Sequence, residues 1–147
     1  MQECCRLINP AVQITAHRIA VKDPNQDALF ADVQVIVDAL DTPGDRLILA
    51  AIARKWRLPL VHGAVAGFPG RVMIIQPSDN SMEMLYSGKE STCSSEHLLG
   101  TPVLSPALIA SFQTMAVLNI LLGKNQAGEI RMIYVDLETP SLDLFEL

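Results

Sequence analysis

Residues Val33–Leu40 constrain the fold of this chain more than any other stretch. Val33, Val35, Ile36, Val37, Ala39 and Leu40 form a nearly continuous apolar run with β-branched residues at its centre. A short run without alternation suits a central parallel strand covered on both faces. Parallel strands cannot be joined by a tight hairpin and need a crossover, usually a helix. The residues that follow supply one. Thr42 stands as N-cap, Pro43 at the first helical position, and Asp45 at the capping-box position. Leu47, Ile48, Ala50, Ala51, Ile52 and Trp56 then gather on one side, with Arg54, Lys55 and Arg57 at the C-terminal end, where cations suit the helix dipole.

The other elements follow from the same rules. Cys4–Leu7 reads as a last helical turn, stopped before Asn9-Pro10. Val12–Val21 alternates loosely and predicts a strand. Asp27–Phe30 reads as a short helical turn. Leu58–Ala64 and Arg71–Gln76 read as strands, with only a glycine-punctuated turn between them, so they are expected to pair directly. Ser78–Glu96 is polar and serine-rich and reads as a long loop. Ser105-Pro106 opens a second helix, Ala107–Leu122, closed by Gly123. Its apolar residues point all round, which predicts burial on most sides. Met132–Leu137 reads as a last strand, with Ser141–Leu147 returning beside it. The chain is expected to form one α/β domain over residues 1–147 with a mixed sheet.

Composition sets the function classes. Half of the 147 residues are apolar, enough to offset the entropy of ordering, which excludes disorder. A net charge of −5 argues against nucleic-acid binding, since phosphate contacts need a Lys/Arg surplus. The three cysteines, two of them adjacent at Cys4 and Cys5, give no disulfide framework. Met1–Ile8 carries Glu3 and Arg6 and lacks the apolar core of a signal peptide. Leu98–Leu122 has about the length of a membrane span. It holds Pro102, Pro106, Gln113 and Asn119 and reads instead as a helix packed inside the domain. The expected location is the cytoplasm, with no membrane partner.

Two regions carry candidate chemistry. Asp38 and Asp41 stand where the central strand meets the helix, and open α/β sheets bind ligands at the carboxyl ends of their strands. Two readings of Asp41 stand side by side: it holds Mg²⁺ on a nucleotide, or it only complements the helix dipole. Cys93 lies in the serine-rich loop with Glu96 and His97 close by, and is either a nucleophile or an unreactive surface thiol. His62 and His17 read as packing or surface residues. Gly63, Gly67 and Gly70 precede a strand rather than a helix and match no phosphate-binding loop.

In this order, several stretches resemble the ThiF/MoeB/HesA family, bacterial relatives of ubiquitin-activating enzymes. They are Leu7-Ile8-Asn9-Pro10 leading into a strand, then Val33–Arg46 with its Asp-x-x-Asp ending and an Arg five residues on. Next come Pro59-Leu60-Val61 with Gly63, and Arg71–Ile75 after Gly70. Last are Ser111-Phe112-Gln113-Thr114-Met115 through Leu121-Leu122-Gly123, and Ile133-Tyr134-Val135-Asp136. The resemblance implies a Rossmann-like mixed sheet, incomplete at its N-terminal, glycine-rich half. It implies ATP and Mg²⁺ as cofactors and adenylation of the C-terminal glycine of a ubiquitin-like sulfur-carrier protein serving thiamin, molybdopterin or cysteine synthesis. Asp41 would contact Mg²⁺ and the phosphates, Arg46 would belong to the nucleotide site, and Cys93 would handle an acyl or sulfur intermediate.

The chain also departs from the family. Nothing before Leu7 corresponds to the opening strand, the glycine-rich turn or the second strand. Both Cys-x-x-Cys pairs are missing, so no zinc is expected. The expectation is therefore an adenylyltransferase that is inactive as this truncated chain. The alternative is a non-catalytic interaction subunit that pairs with a complete enzyme. The edge of Val33–Leu40 would lie open in either case. It is closed by Val12–Val21 or by a second chain, in a dimer or larger homo-oligomer, unless the chain is a fragment.

Overall fold

A computed structural model describes residues 2–86, 100–124 and 132–146. After helix α1 (Gln2–Ile8) and a 3-10 turn at Pro24–Phe30, the elements are β1 (Ile36–Asp38), α2 (Pro43–Trp56), β2 (Leu60–Val65) and β3 (Gly70–Ile75). Helices α3 (Ser81–Tyr86) and α4 (Leu104–Leu121) and strands β4 (Met132–Asp136) and β5 (Ser141–Phe145) complete the order. The sheet runs β1-β2-β3-β4-β5. β1 and β2 are parallel across the α2 crossover, and every other pair is antiparallel. This is the expected mixed α/β sheet, with β2 and β3 paired directly and β5 returning beside β4.

Helices cover both faces. Leu60 and Ile75 pack with Leu49, Ala50 and Ala53 of α2 and Met82 of α3. Val61 and Val72 turn the other way and pack with Ile109 and Ala116 of α4. The two-residue period of the strands assigns neighbouring side chains to opposite layers. At Gly63 the α4 layer comes so close that a Cβ would collide with the Gln113 side-chain amide. That approach lets the Gln113 Nε2 donate to the Asp38 carbonyl at 2.8 Å and to the Val61 carbonyl at 3.3 Å.

The start of α2 forms as its residues dictate. The Asp45 amide donates to Thr42 Oγ1 at 3.2 Å, and the Thr42 hydroxyl donates to Asp45 Oδ2 at 2.9 Å. The helix ends on Arg57 in the left-handed region, φ 54°.

Four expectations need correction. Val12–Val21 pairs with no strand among the described residues and is irregular. Its apolar residues have no sheet neighbour to answer, and loose alternation without a partner does not hold a strand. Within Val33–Leu40 only Ile36–Asp38 joins the sheet, where β2 is its one neighbour among the described residues, and Val37 stays 47% exposed. Part of the expected loop is helix α3, whose Met82 and Tyr86 are buried. Finally, α4 buries only Ser105, Ile109, Gln113 and Ala116, while Met115, Leu118 and Leu121 stay exposed. One sheet face can cover one side of a helix and no more. The helix also begins earlier, at Leu104, and the Ser105 hydroxyl donates to the Phe68 carbonyl at 3.2 Å. By length and composition α4 would also pass for a membrane span.

Replacing Thr42 with Ala removes the cap and is expected to cost about 1 kcal/mol of stability. Urea denaturation should show a lower midpoint at unchanged slope.

Candidate functional site

The parallel pair ends in two polar residues. The register sets Ile36 beside Leu60, Val37 beside Val61 and Asp38 beside His62. Asp38 and His62 therefore share the face beneath α2 and α3, both fully buried. His62 Nδ1 lies 2.6 Å from Asp38 Oδ2. On its other side His62 Nε2 meets the Tyr86 hydroxyl, from the end of α3, at 3.2 Å. The two rings meet edge to face. Two guanidiniums also converge on that phenol: Arg46 Nη1 donates to the oxygen at 2.7 Å and Arg71 Nη2 at 2.9 Å.

The donors set the protonation pattern. Tyr86 accepts from both arginines, so its own hydrogen goes to His62 Nε2. His62 is then neutral, with its proton on Nδ1 facing Asp38. Burial pushes its pKa below the ordinary value. The hydrogen bond to Asp38 and the charge of Asp38 pull it up without overcoming burial, and the charges of Arg46 and Arg71 add to the lowering.

The next residues turn outward. The Leu40 amide donates to Asp38 Oδ1 at 2.8 Å. Arg46 Nε donates to the Leu40 carbonyl at 2.8 Å, and Nη2 donates to the same oxygen. Asp41 follows, exposed, just before the N-terminus of α2. It lies on the rim of an open cavity of about 400 Å³. Ala64, Val65, Ile109 and Ala110 form an apolar wall of that cavity, and Gly63 and Gln113 also line it.

The structure thus brings Asp41 and Arg46 to one rim. The guanidinium of Arg46 is buried and engaged with Leu40 and Tyr86. Cys93 lies outside the described residues. Sequence reasoning missed His62 and Tyr86 as members of this centre. A signal for His62 existed: Ile36-Val37-Asp38 and Leu60-Val61-His62 are matching apolar pairs, each closed by a polar residue. Nothing local marked Tyr86, which arrives from 40 residues beyond Arg46.

A model of the ThiF family matches residues 1–146. The chain belongs to the ThiF family. Among curated ThiF relatives, a SAMP-activating enzyme E1 of Haloferax volcanii is 26% identical over 89% of this chain and 49% of its own length. A sulfur carrier protein ThiS adenylyltransferase of Bacillus subtilis is 30% identical over 86% of this chain and 42% of its own. A molybdopterin-synthase adenylyltransferase of Escherichia coli is 24% identical over 90% and 54%. The chain spans about half the length of these relatives. Among solved structures, PaaA superposes with a TM-score of 0.68 at 15% identity, over 98% of this chain and 52% of that one. E. coli MccB with ATP gives 0.66 at 8%, over 96% and 44%. These similarities place the mixed sheet among ThiF-type, Rossmann-like folds.

The neutral His62 has a consequence for stability. Its folded pKa lies below the unfolded value of about 6.5, so the unfolded chain takes up the proton first as pH falls. The contribution is complete above that value and drains away as pH falls through the folded pKa. Denaturation midpoints are expected to fall between about pH 7 and pH 5, and to fall less steeply in His62→Gln.

Proposed function

We propose that this chain forms part of an ATP-dependent adenylyltransferase that activates the C-terminus of a ubiquitin-like sulfur-carrier protein in the cytoplasm. One observation carries the reading. Of the three carboxylates around the β1–α2 turn, Asp38 is bound to His62 and the Leu40 amide, and Asp45 is bound to Thr42. Asp41 alone is turned outward to the cavity rim. A hard cation on a nucleotide asks for one or two carboxylates and completes its shell with phosphate oxygens and water. Asp41 fits that demand, and the positive end of α2 beside it suits an anionic ligand. The ThiF relatives named above, a SAMP-activating enzyme and two adenylyltransferases, support this reading.

The roles of the chain's own residues follow. Asp41 would hold Mg²⁺, and the turn that Arg46 grips would border the nucleotide. ATP with Mg²⁺ supplies an adenylyl group and a pyrophosphate leaving group. The apolar wall of Ala64, Val65, Ile109 and Ala110 would border the bound carrier C-terminus on one side of the open cavity. Cys93, by family likeness, is the thiol for the acyl or sulfur intermediate.

The test replaces the matching half of the B. subtilis ThiS adenylyltransferase with this chain. The hybrid is expected to catalyse ATP–pyrophosphate exchange, and Asp41→Ala to reduce it about a hundredfold or more. The 147-residue chain alone, which contains no G-x-G-x-x-G, is expected to be inactive. Exchange by that chain, lost on Asp41→Ala, would overturn the inactivity. A hybrid indifferent to Asp41→Ala would overturn the role of Asp41.

We further propose that the chain associates through the outer edge of β1. That edge has no strand partner among the described residues. Light scattering is expected to give a mass above the 16.0 kDa of one chain. A clean monomer would rule this out.

A further inference from the structure

The contacts beneath α2 and α3 close into a ring around one residue. The Leu40 amide donates to Asp38, which accepts from His62 through its other oxygen. His62 accepts from Tyr86, Tyr86 accepts from Arg46, and Arg46 donates to the Leu40 carbonyl. Leu40 is thus held at its N–H and at its C=O by the two ends of a single buried chain. The Leu40 carbonyl belongs to the peptide plane that Leu40 shares with Asp41. Holding that plane sets the direction in which Asp41 leaves it.

We propose that His62 and Tyr86 are positioning residues that act through Asp38 and Arg46 to aim the Asp41 carboxylate at the cavity. Neither residue itself lines the cavity. Their effect arises because every donor on the arm from Arg46 through Tyr86 and His62 to Asp38 points the same way, while Arg46 and the Leu40 amide close the ring by donating to the Leu40 carbonyl and to Asp38. A buried ring of this kind has one consistent hydrogen pattern, and removing a member leaves its buried neighbours unpaired. Tyr86 also accepts from Arg71, so the phenol holds two cations while keeping its hydrogen for His62. Side chains that hydrogen-bond behind a metal ligand orient it without meeting the metal.

The value of Asp41 as a cation ligand rests on the function proposed above; the ring itself does not. The experiment separates the two. Imidazole and amide NMR spectra are recorded on the 147-residue chain, its Tyr86→Phe and His62→Asn variants, and an Arg54→Gln control that cuts exposed contacts outside the ring, to Glu83 and to the Asp79 carbonyl. His62→Asn keeps a donor toward Asp38 and loses the acceptor for Tyr86. In the unaltered chain His62 is expected to carry its proton on Nδ1. Both variants are expected to move the Leu40 and Asp41 amide signals while leaving those of α4 in place, and the control to move neither. Mn²⁺ with ATP is then titrated, and the concentration that broadens the Asp41 signal is expected to rise about tenfold in both variants.

Unchanged Leu40 and Asp41 signals in folded variants would overturn the proposal. If the variants do not fold, the unaltered chain decides: a proton on Nε2 instead of Nδ1 overturns it, and the Nδ1 form supports it. If Mn²⁺ with ATP leaves the Asp41 signal of the unaltered chain untouched, the cation-ligand reading fails, and the amide shifts still decide the positioning.

Discussion

Burying a carboxylate is the most costly commitment in this structure, and the arrangement of the site follows from how that cost is met. Asp38 is fully buried at the end of β1. An ionised group there needs several hydrogen bonds to offset the hydration it loses. It obtains them from the Leu40 amide and from His62, with the Arg46 guanidinium 3.9 Å away. Each of those partners is itself polar and must be satisfied in turn, which draws in Tyr86 and the Leu40 carbonyl. Satisfying one buried charge therefore recruits residues from β1, β2, α2 and α3.

The same commitment organises the rest of the domain. The parallel register of β1 and β2 must set Asp38 beside His62, because a slip of one residue would turn His62 to the α4 face. On that face the Asp38 carbonyl has its own partner in Gln113, and Gly63 leaves the room that this amide needs. α2 must begin close enough for Arg46 to return to Leu40, which the Thr42–Pro43 start ensures. Asp41 is left outside the ring, exposed, at the point where strand, helix N-terminus and cavity meet. A sheet end that holds one carboxylate inside and presents another outside is well suited to a charged ligand.

Much of this was legible in the chain itself. The cap at Thr42 and the paired strands Leu58–Ala64 and Arg71–Gln76 reflect local chemistry and form close to where their residues predict, whereas only Ile36–Asp38 of the Val33–Leu40 run does so. Asp41 was legible as well, because strand end and helix start meet at one place in the sequence. Val12–Val21 was misread because a strand exists only against a neighbour, and a loose alternation says nothing of one. Helix α4 was misjudged for a related reason. Its all-round apolar surface does not reveal how many sides the domain covers. His62 was passed over because a lone histidine within an apolar strand looks the same whether it is filler or one link in a network.

By itself, then, the sequence determined the elements that depend on neighbours within a few residues: the cap of α2, the runs that become β2 and β3, and the placing of Asp41 between a strand end and a helix start. Its ordered stretches also carried the likeness to the ThiF family. Only the tertiary structure decided which carboxylate is buried and which is presented, that Arg46 grips the turn from within, and that His62 and Tyr86 complete the ring. Those outcomes depend on contacts across 24 and 40 residues of chain. No local propensity encodes such contacts; strand register and helix packing create them.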